Sequence, residues 1–387
     1  MYRASQAHSP STLVLAGGIP DVRLVSATEL ARAYRRVLRH QGGALLGYGD
    51  SLGHPRLRKA LAEMLSATRG VAATPETVLI TRGSQMALYL VARTLVAPGD
   101  VVVVEDPGYR PAWEAFQLAG AKLVRLPVDG AGACVKELAT LSNRERIRAL
   151  YLTPHHQYPT TVTLAAGRRL ELLEFARTRH IAIIEDDYDH EFHYDGRPVL
   201  PLASADTTGA VIYIGTLSKV LAPGLRIGYI VAPSPLIERA VAYRSFMDLQ
   251  GDHAVESAVA ELLEGGEVQR HIRRARRIYH ARRDVLAEEL RKQFGAMFFF
   301  TVPTGGMALW VRVEEGVDLS AWELQGLREG VAFQLGRRFT FDREMIPYMR
   351  LGFASRTEAE LKEAVRRMAR ALRTLPRKRL AKKEVRR

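Results

Sequence analysis

From about residue 48 the chain alternates short apolar runs with amphipathic stretches of helical period. The apolar runs predict strands at 78–81, 101–105, 122–127, 149–153, 181–185, 211–215 and 227–231. Helices fit between them, including 85–95, 109–119 and 165–179. A run such as IAII has no polar alternation, which suits a strand buried on both faces of a mostly parallel sheet. After about residue 245 the pattern changes. Long charged helices at 252–264 and 268–293 precede the β-rich segments FFFTVP, GGMALWVRV and MIPYMRLGF, and an amphipathic helix follows at about 358–372. The expectation is an α/β large domain, residues 46–245, on a mostly parallel seven-stranded sheet. A smaller α+β domain, 246–387, is expected to carry residues 15–45 packed on it and to end in a basic tail, 376–387.

Several predicted strands run into polar, glycine-rich segments: RGSQ, EDPGY, EDDYD and GTLSK. Ligands of open α/β sheets bind at the carboxyl ends of strands, so these four belong to one edge. The segment GTLSKVLAPGLRIGY, 215–229, sets Thr216, Ser218 and Lys219 just past a buried strand, with Arg226 seven residues after the lysine. Partial desolvation lowers the pKa of such a lysine and makes its amine a usable nucleophile. A hydroxyl and a forked guanidinium together bind phosphate. In IIEDDYDHEF, a buried acid needs a cation or strong donors. Asp186 can pair with a protonated pyridine nitrogen and Tyr188 with a phenolic oxygen. The cluster Glu185, Asp186, Asp187 and Asp189 would also admit a carboxylate metal site. Strand alternation sends neighbouring acids to opposite faces, and no metal is expected. Gly83-Ser84-Gln85 at a helix start forms an anion site from backbone N–H groups and the helix dipole. Tyr109, after the turn in EDPGYR, is placed to stack on a flat ring.

Composition narrows the picture. The 387 residues suit two packed units, and 47% apolar with 25% charged residues is ordinary for a globular chain. No run of about 18 apolar residues predicts a membrane span, and the N-terminal segment does not resemble a secretory signal. A single cysteine, Cys134, excludes an internal disulfide and a cysteine metal cluster, and points to a reducing cytoplasm. The net charge is +14, of which the tail 377–387, with seven basic residues and one acid, supplies +6. A second basic concentration, 270–283, lies on a helix. Both read as solvated charge that favours anionic ligands, and nucleic acid is not an expected partner.

In order along the chain, LGYGDSLGHPRLR, TRGSQMAL, EDPGYR, YLTPHHQYPTT, IIEDDYDHEF, YIGTLSKVLAPGLRIGY and MRLGF resemble the fold-type I pyridoxal-phosphate aminotransferases of class I/II. Within them the chain is most similar to the aminotransferase-like domain of MocR/GabR-type proteins, over about residues 15–375. The resemblance implies pyridoxal 5'-phosphate as cofactor and Lys219 as its Schiff-base lysine and catalytic residue. It implies Asp186 at the pyridine nitrogen, Tyr188 at the phenolic oxygen and Tyr109 stacked on the ring. Gly83, Ser84, Gln85, Ser218 and Arg226 match the phosphate-binding positions, with Thr216 beside them. Tyr48 matches a tyrosine that reaches the phosphate of the neighbouring subunit, which implies a homodimer with shared sites. Arg350 matches the arginine that grips the substrate carboxylate.

The sequence departs from that pattern at Tyr158-Pro159-Thr160-Thr161, where many relatives carry Asn-Pro-Thr-Gly. The direct asparagine contact is missing, His156 or Gln157 is the candidate substitute, and Thr161 in place of glycine reshapes the loop. About fifteen residues precede the similarity, so the winged-helix DNA-binding domain of the regulators is expected to be absent. The implied function is a cytoplasmic aminotransferase moving an amino group from an α-amino acid to a 2-oxo acid. The alternatives are an effector-sensing module of a MocR/GabR-like regulator, or a racemase, decarboxylase or lyase on the same cofactor.

Overall fold

The computed structural model describes residues 9, 11–196 and 198–375; the basic tail expected at 376–387 lies outside them. The chain divides into two compact units. One comprises Pro20–Arg277 with Thr304–Gly306, and the other the described residues up to Ile19, Ile278–Pro303 and those from Met307 on.

All seven predicted strands form and join one sheet of the first unit. Their spatial order is Val78–Thr81, Gly228–Val231, Val211–Thr216, Ala182–Asp187, Ile147–Leu152, Val101–Asp106 and Lys122–Asp129. A two-residue strand, Gly132–Ala133, adds an eighth that no apolar run announces. Pairing is parallel from Val211–Thr216 through to Lys122–Asp129, whereas Gly228–Val231 runs antiparallel to both its neighbours. Two reversals restore the direction, so Thr81, Asp106, Leu152, Asp187 and Thr216 end at one edge. The reversed strand begins there, at Gly228.

The apolar runs are strands because helices cover both faces of the sheet. Ala166–Arg179 buries Leu172 and Ala176 with Val103, Leu150 and Ile183. Pro55–Arg69 and His253–Glu264 bury Leu57, Leu61, Ala258 and Leu262 with Val78, Ile80 and Tyr229. The helix Ala27–Leu45 adds Ala33 and Val37 to that cluster. Each fully buried aliphatic side chain contributes roughly 1.5–3 kcal/mol.

These contacts divide the chain differently from the pattern change at residue 245. The helices at 27–45 and 253–264 share the large sheet's core, and the boundary falls at Arg277 within the helix Glu267–Phe294.

The second unit is built on an antiparallel sheet in the order Phe298–Phe299, Ala308–Val313, Tyr348–Gly352, Gln334–Leu335. Leu13–Val14 pairs in parallel with Val331–Ala332, which ties the first strand of the chain to this unit. The helix Glu358–Arg373 starts with a reciprocal cap: Glu360 N donates to Thr357 Oγ1 and Thr357 N to the Glu360 carboxylate. Buried Trp322 packs on Phe294, Phe298 and Phe333, and its Nε1 donates to Met368 O at 2.9 Å.

Candidate active site

The edge where the strands end carries an anion cradle. After the strand Val78–Thr81, Gly83 takes φ 78° and caps the helix Ser84–Leu95 without any side-chain bond, leaving the first-turn N–H groups for a ligand. A Cβ on Gly83 would stand 2.8 Å from Nη2 of Arg226, so only glycine lets the guanidinium lie over the helix start. Arg226 is exposed, sits in the left-handed region at φ 53°, and donates from Nη2 to Arg82 O at 2.8 Å. Gly228 is pressed on the same turn, where a Cβ would meet Ser84 N at 2.7 Å.

Two of the expected phosphate ligands have their side chains engaged elsewhere. Gln85 Nε2 donates to Pro111 O at 3.0 Å. Thr216 Oγ1 donates to Ile227 O at 3.0 Å and accepts Ser218 N at 3.1 Å, so it braces the 216–227 loop. Ser218 is buried, and half-buried Lys219 follows it in the turn.

Asp186 ends up buried on the neighbouring strand. Oδ2 accepts the Tyr151 hydroxyl at 2.8 Å, while buried Oδ1 has no hydrogen-bond partner among the described residues. Burial, with Asp187 and Asp189 nearby, pushes its carboxyl up to about 7, against the opposing pull of Tyr151 and Lys219. The attraction to Lys219 links the two central residues of the sequence reading.

Three tyrosines follow one another in edge-to-face contact. Tyr109 to Tyr158 is 5.2 Å between centroids at 79°, and Tyr158 to Tyr188 is 6.1 Å at 82°. The Tyr188 hydroxyl donates to His156 O at 2.9 Å.

The loop 153–161 is held from below by Glu105, whose Oε2 accepts both Thr153 N and Thr153 Oγ1, at 3.0 and 2.8 Å. Thr153 Oγ1 in turn accepts Tyr158 N at 2.9 Å. Burial pushes the Glu105 carboxyl up to about 7 despite these donors. Gln157 is occupied by Pro107 O and, within the loop, by Tyr158 O and Thr160, and His156 Nδ1 lies 2.7 Å from Asp189 Oδ1. Both expected stand-ins for the missing asparagine are therefore engaged within the protein.

Beneath the same two strand ends, His155, His156, His190 and His193 gather beside Asp187 and Asp189. Burial drives the His155 imidazole well below its ordinary value, with His156 and His190 adding to it. Burial alone would raise Asp187, but His190, His155 and Arg69 hold it well below the carboxylate range. Its Oδ2 accepts the Tyr213 hydroxyl at 2.6 Å.

Sequence reasoning missed Tyr151, Glu105, Thr153 and, His156 apart, this histidine cluster. Only the repeated histidines of HH and HEFH offered a signal.

Tyr48 stands 90% exposed. In the second unit Arg350 is fully buried on the strand Tyr348–Gly352, in register with Trp310 and Gln334. A Cβ on Gly17 would overlap its guanidinium.

The residues of the first unit fit a phosphorylated pyridine aldehyde. The uncapped helix start and Arg226 suit the phosphate, the unpartnered buried oxygen of Asp186 suits a protonated ring nitrogen, and Lys219 offers the amine.

A model of the family "Aminotransferase class I and II" matches residues 13–368. The aromatic-amino-acid aminotransferase 1 of Thermococcus litoralis is 33% identical over 92% of this chain and 86% of its own length. The probable rhizopine catabolism regulatory protein MocR of Rhizobium meliloti is 34% identical over 85% of this chain, which spans 66% of that protein. Among solved structures, LysN, the alpha-aminoadipate aminotransferase of Thermus thermophilus complexed with N-(5'-phosphopyridoxyl)-L-leucine, superposes with a TM-score of 0.88 at 32% identity. The match covers 96% of this chain and 95% of that one.

Proposed function

The chain belongs to the class I and II aminotransferases, as a pyridoxal-phosphate-dependent transaminase of fold type I, and from that premise we propose that Lys219 and Asp186 centre a site for α-amino acids. The observation that carries this reading is the buried Asp186 oxygen without a partner among the described residues, electrostatically tied to Lys219 at the edge that holds Gly83 and Arg226.

In this reading Gly83, Ser84, Gln85, Ser218 and Arg226 hold the phosphate, Gln85 through its backbone N–H, and Thr216 keeps the loop in shape. Tyr109 covers one face of the ring and Tyr188 serves its phenolic oxygen. When bound, the pyridoxal group supplies an electron sink for the charge left at the substrate α-carbon. Asp186 stays ionised against the ring nitrogen. The Lys219 amine would hold the cofactor at its aldehyde carbon and, when free, would carry the proton from the substrate α-carbon. Arg350 binds the substrate carboxylate by a two-pronged contact.

The partners are an α-amino acid and a 2-oxo acid, and the working form is a cytoplasmic homodimer. The dimer is supported by Leu46, Tyr48 and Phe246, which are 80%, 90% and 92% exposed and which a second copy would cover. A single cysteine supports a reducing compartment.

The test is turnover of purified protein with a panel of amino acids and a 2-oxo acid acceptor, with Lys219→Ala as control. Release of the donor's 2-oxo acid, abolished in the variant, is expected. Amino acids that alter the cofactor's absorbance while no 2-oxo acid appears would make the protein an effector sensor instead.

A further inference from the structure

We propose that His155, Asp187 and His190 form a buried site for one divalent ion of the zinc class, on the side of the strand Ala182–Asp187 opposite Asp186. His155 lies on the loop after Ile147–Leu152, Asp187 ends the adjacent parallel strand, and His190 lies in the turn that follows it. Successive strand residues face opposite ways, so Asp187 turns from the face that Asp186 serves.

The donor atoms of these three residues lie within 4.8 Å of one another, and all three residues are buried. The rings of His155 and His190 overlap at 4.4 Å between centroids, tilted by 31°. His190 Nδ1 lies 3.0 Å from Asp187 Oδ2, an ion-pair distance without the alignment of a hydrogen bond. Among the described residues, neither nitrogen of His155, neither nitrogen of His190, nor Asp187 Oδ1 has a hydrogen-bond partner. His155 is 3% exposed and His190 6%. Buried polar atoms are nearly always satisfied, so three adjacent residues that each keep an unbonded buried polar atom among the described residues mark room for an occupant. An imidazole always keeps a lone pair unless protonated, and two imidazoles with a carboxylate make the nitrogen-rich, low-charge donor set that zinc-class ions prefer. Metal–nitrogen bonds of about 2.0–2.1 Å require the side chains to draw in slightly from their present spacing.

A second set, His155, His156 and His193, shares His155, so one ion takes one set or the other. The first set is favoured because all its members are buried and it includes a carboxylate, whereas in the second His156 Nδ1 is already held by Asp189. An ion there would pin the loop that carries Tyr158 to the strand end that carries Tyr188. The expectation of no metal drawn from the sequence considered only the acids and missed the histidines.

The test is isothermal titration of tag-free, chelator-treated holoenzyme with zinc chloride, alongside metal analysis of protein purified without chelator. One ion per chain with a submicromolar Kd is expected. His155→Ser and His190→Ser should weaken it about 100-fold or more, since even outer partners of a metal ligand are worth 10- to 100-fold. His280→Ala, an exposed histidine elsewhere, should leave it unchanged. Retention of the cofactor and the far-ultraviolet circular dichroism certify that each variant is folded. Wild-type binding that is weak, or equal in the His155 variant, overturns the site. Binding kept in His190→Ser but lost in His193→Ser moves the ion to the second set and overturns this ligand assignment.

Discussion

Gly17 and Arg350 contend for the same space: a Cβ at position 17 would overlap Nη1 and Cζ of the fully buried guanidinium. Glycine at 17 thus lets the chain run flat against the arginine, and Gly352 N closes the contact by donating to Leu15 O at 2.8 Å. Gly17→Ala should therefore turn Arg350 aside while leaving the chain folded. The KM for an α-amino acid should rise by one to two orders of magnitude. Arg350→Lys, which keeps the charge without the fork, should be at least as damaging, because losing a desolvated charge contact costs about 2–5 kcal/mol. Kinetics with an amino acid and its decarboxylated amine decide the matter: equal losses for both substrates would end the carboxylate role of Arg350.

The Tyr151–Asp186 hydrogen bond gives a second outcome. The phenol stabilises the ionised carboxylate, so its removal in Tyr151→Phe raises the Asp186 pKa further above its ordinary value. A hydrogen bond to a charged group is worth roughly 1.5–3 kcal/mol, so kcat should drop about 10- to 100-fold. The acidic limb of the rate profile should move to higher pH. A drop in kcat with that limb unmoved would assign Tyr151 to packing alone.

Glu105 makes stability depend on pH. Its carboxyl sits near 4.5 when the chain is unfolded and about 7 when folded. Between those values the folded state binds a proton that the unfolded state has released, so stability falls as pH rises through the window and then levels off. The full effect is on the order of 3 kcal/mol. Glu105→Gln keeps an acceptor for Thr153 and removes the titration, so its Tm should fall less than that of wild type between pH 5 and pH 8. Parallel melting curves for the two proteins across that range would refute the assignment.

Most strands were legible because they are buried on both faces and show no alternation; Lys122–Asp129, with only Leu126 buried, is the exception. The site segments were legible because a parallel sheet sends its carboxyl ends to one edge. The placing of Lys219, Asp186, Gly83 and Arg226 at that edge follows from those two facts with their spacing. Other features depend on register between elements distant in sequence. Tyr151 reaches Asp186 across neighbouring strands, and Glu105 reaches Thr153 over 48 residues. In the sequence both are ordinary members of apolar or acidic runs. The division inside the helix Glu267–Phe294 was illegible for a similar reason: its polar and apolar rhythm continues through Arg277 while its packing partners change.

Thr161 yields the last prediction, at the position where the sequence departs from the family's glycine. Its φ is 65°, in the left-handed region, and its N–H donates to Gln157 O at 2.6 Å, closing the loop that bears Tyr158. For a residue with a Cβ that conformation costs roughly 1–2 kcal/mol, and a β-branched one sits there least easily. Glycine escapes the clash but gives the unfolded chain more freedom, which takes back about 0.4–1 kcal/mol. Thr161→Gly should therefore stabilise the protein by about 0.5–1 kcal/mol net. Thr161→Ala keeps the Cβ, so it should gain less. The Thr161 hydroxyl makes no hydrogen bond that either change would break among those the structure describes. Chemical denaturation of the three proteins at one pH measures the order directly. An alanine variant at least as stable as the glycine variant would show that backbone conformation is not what Thr161 strains.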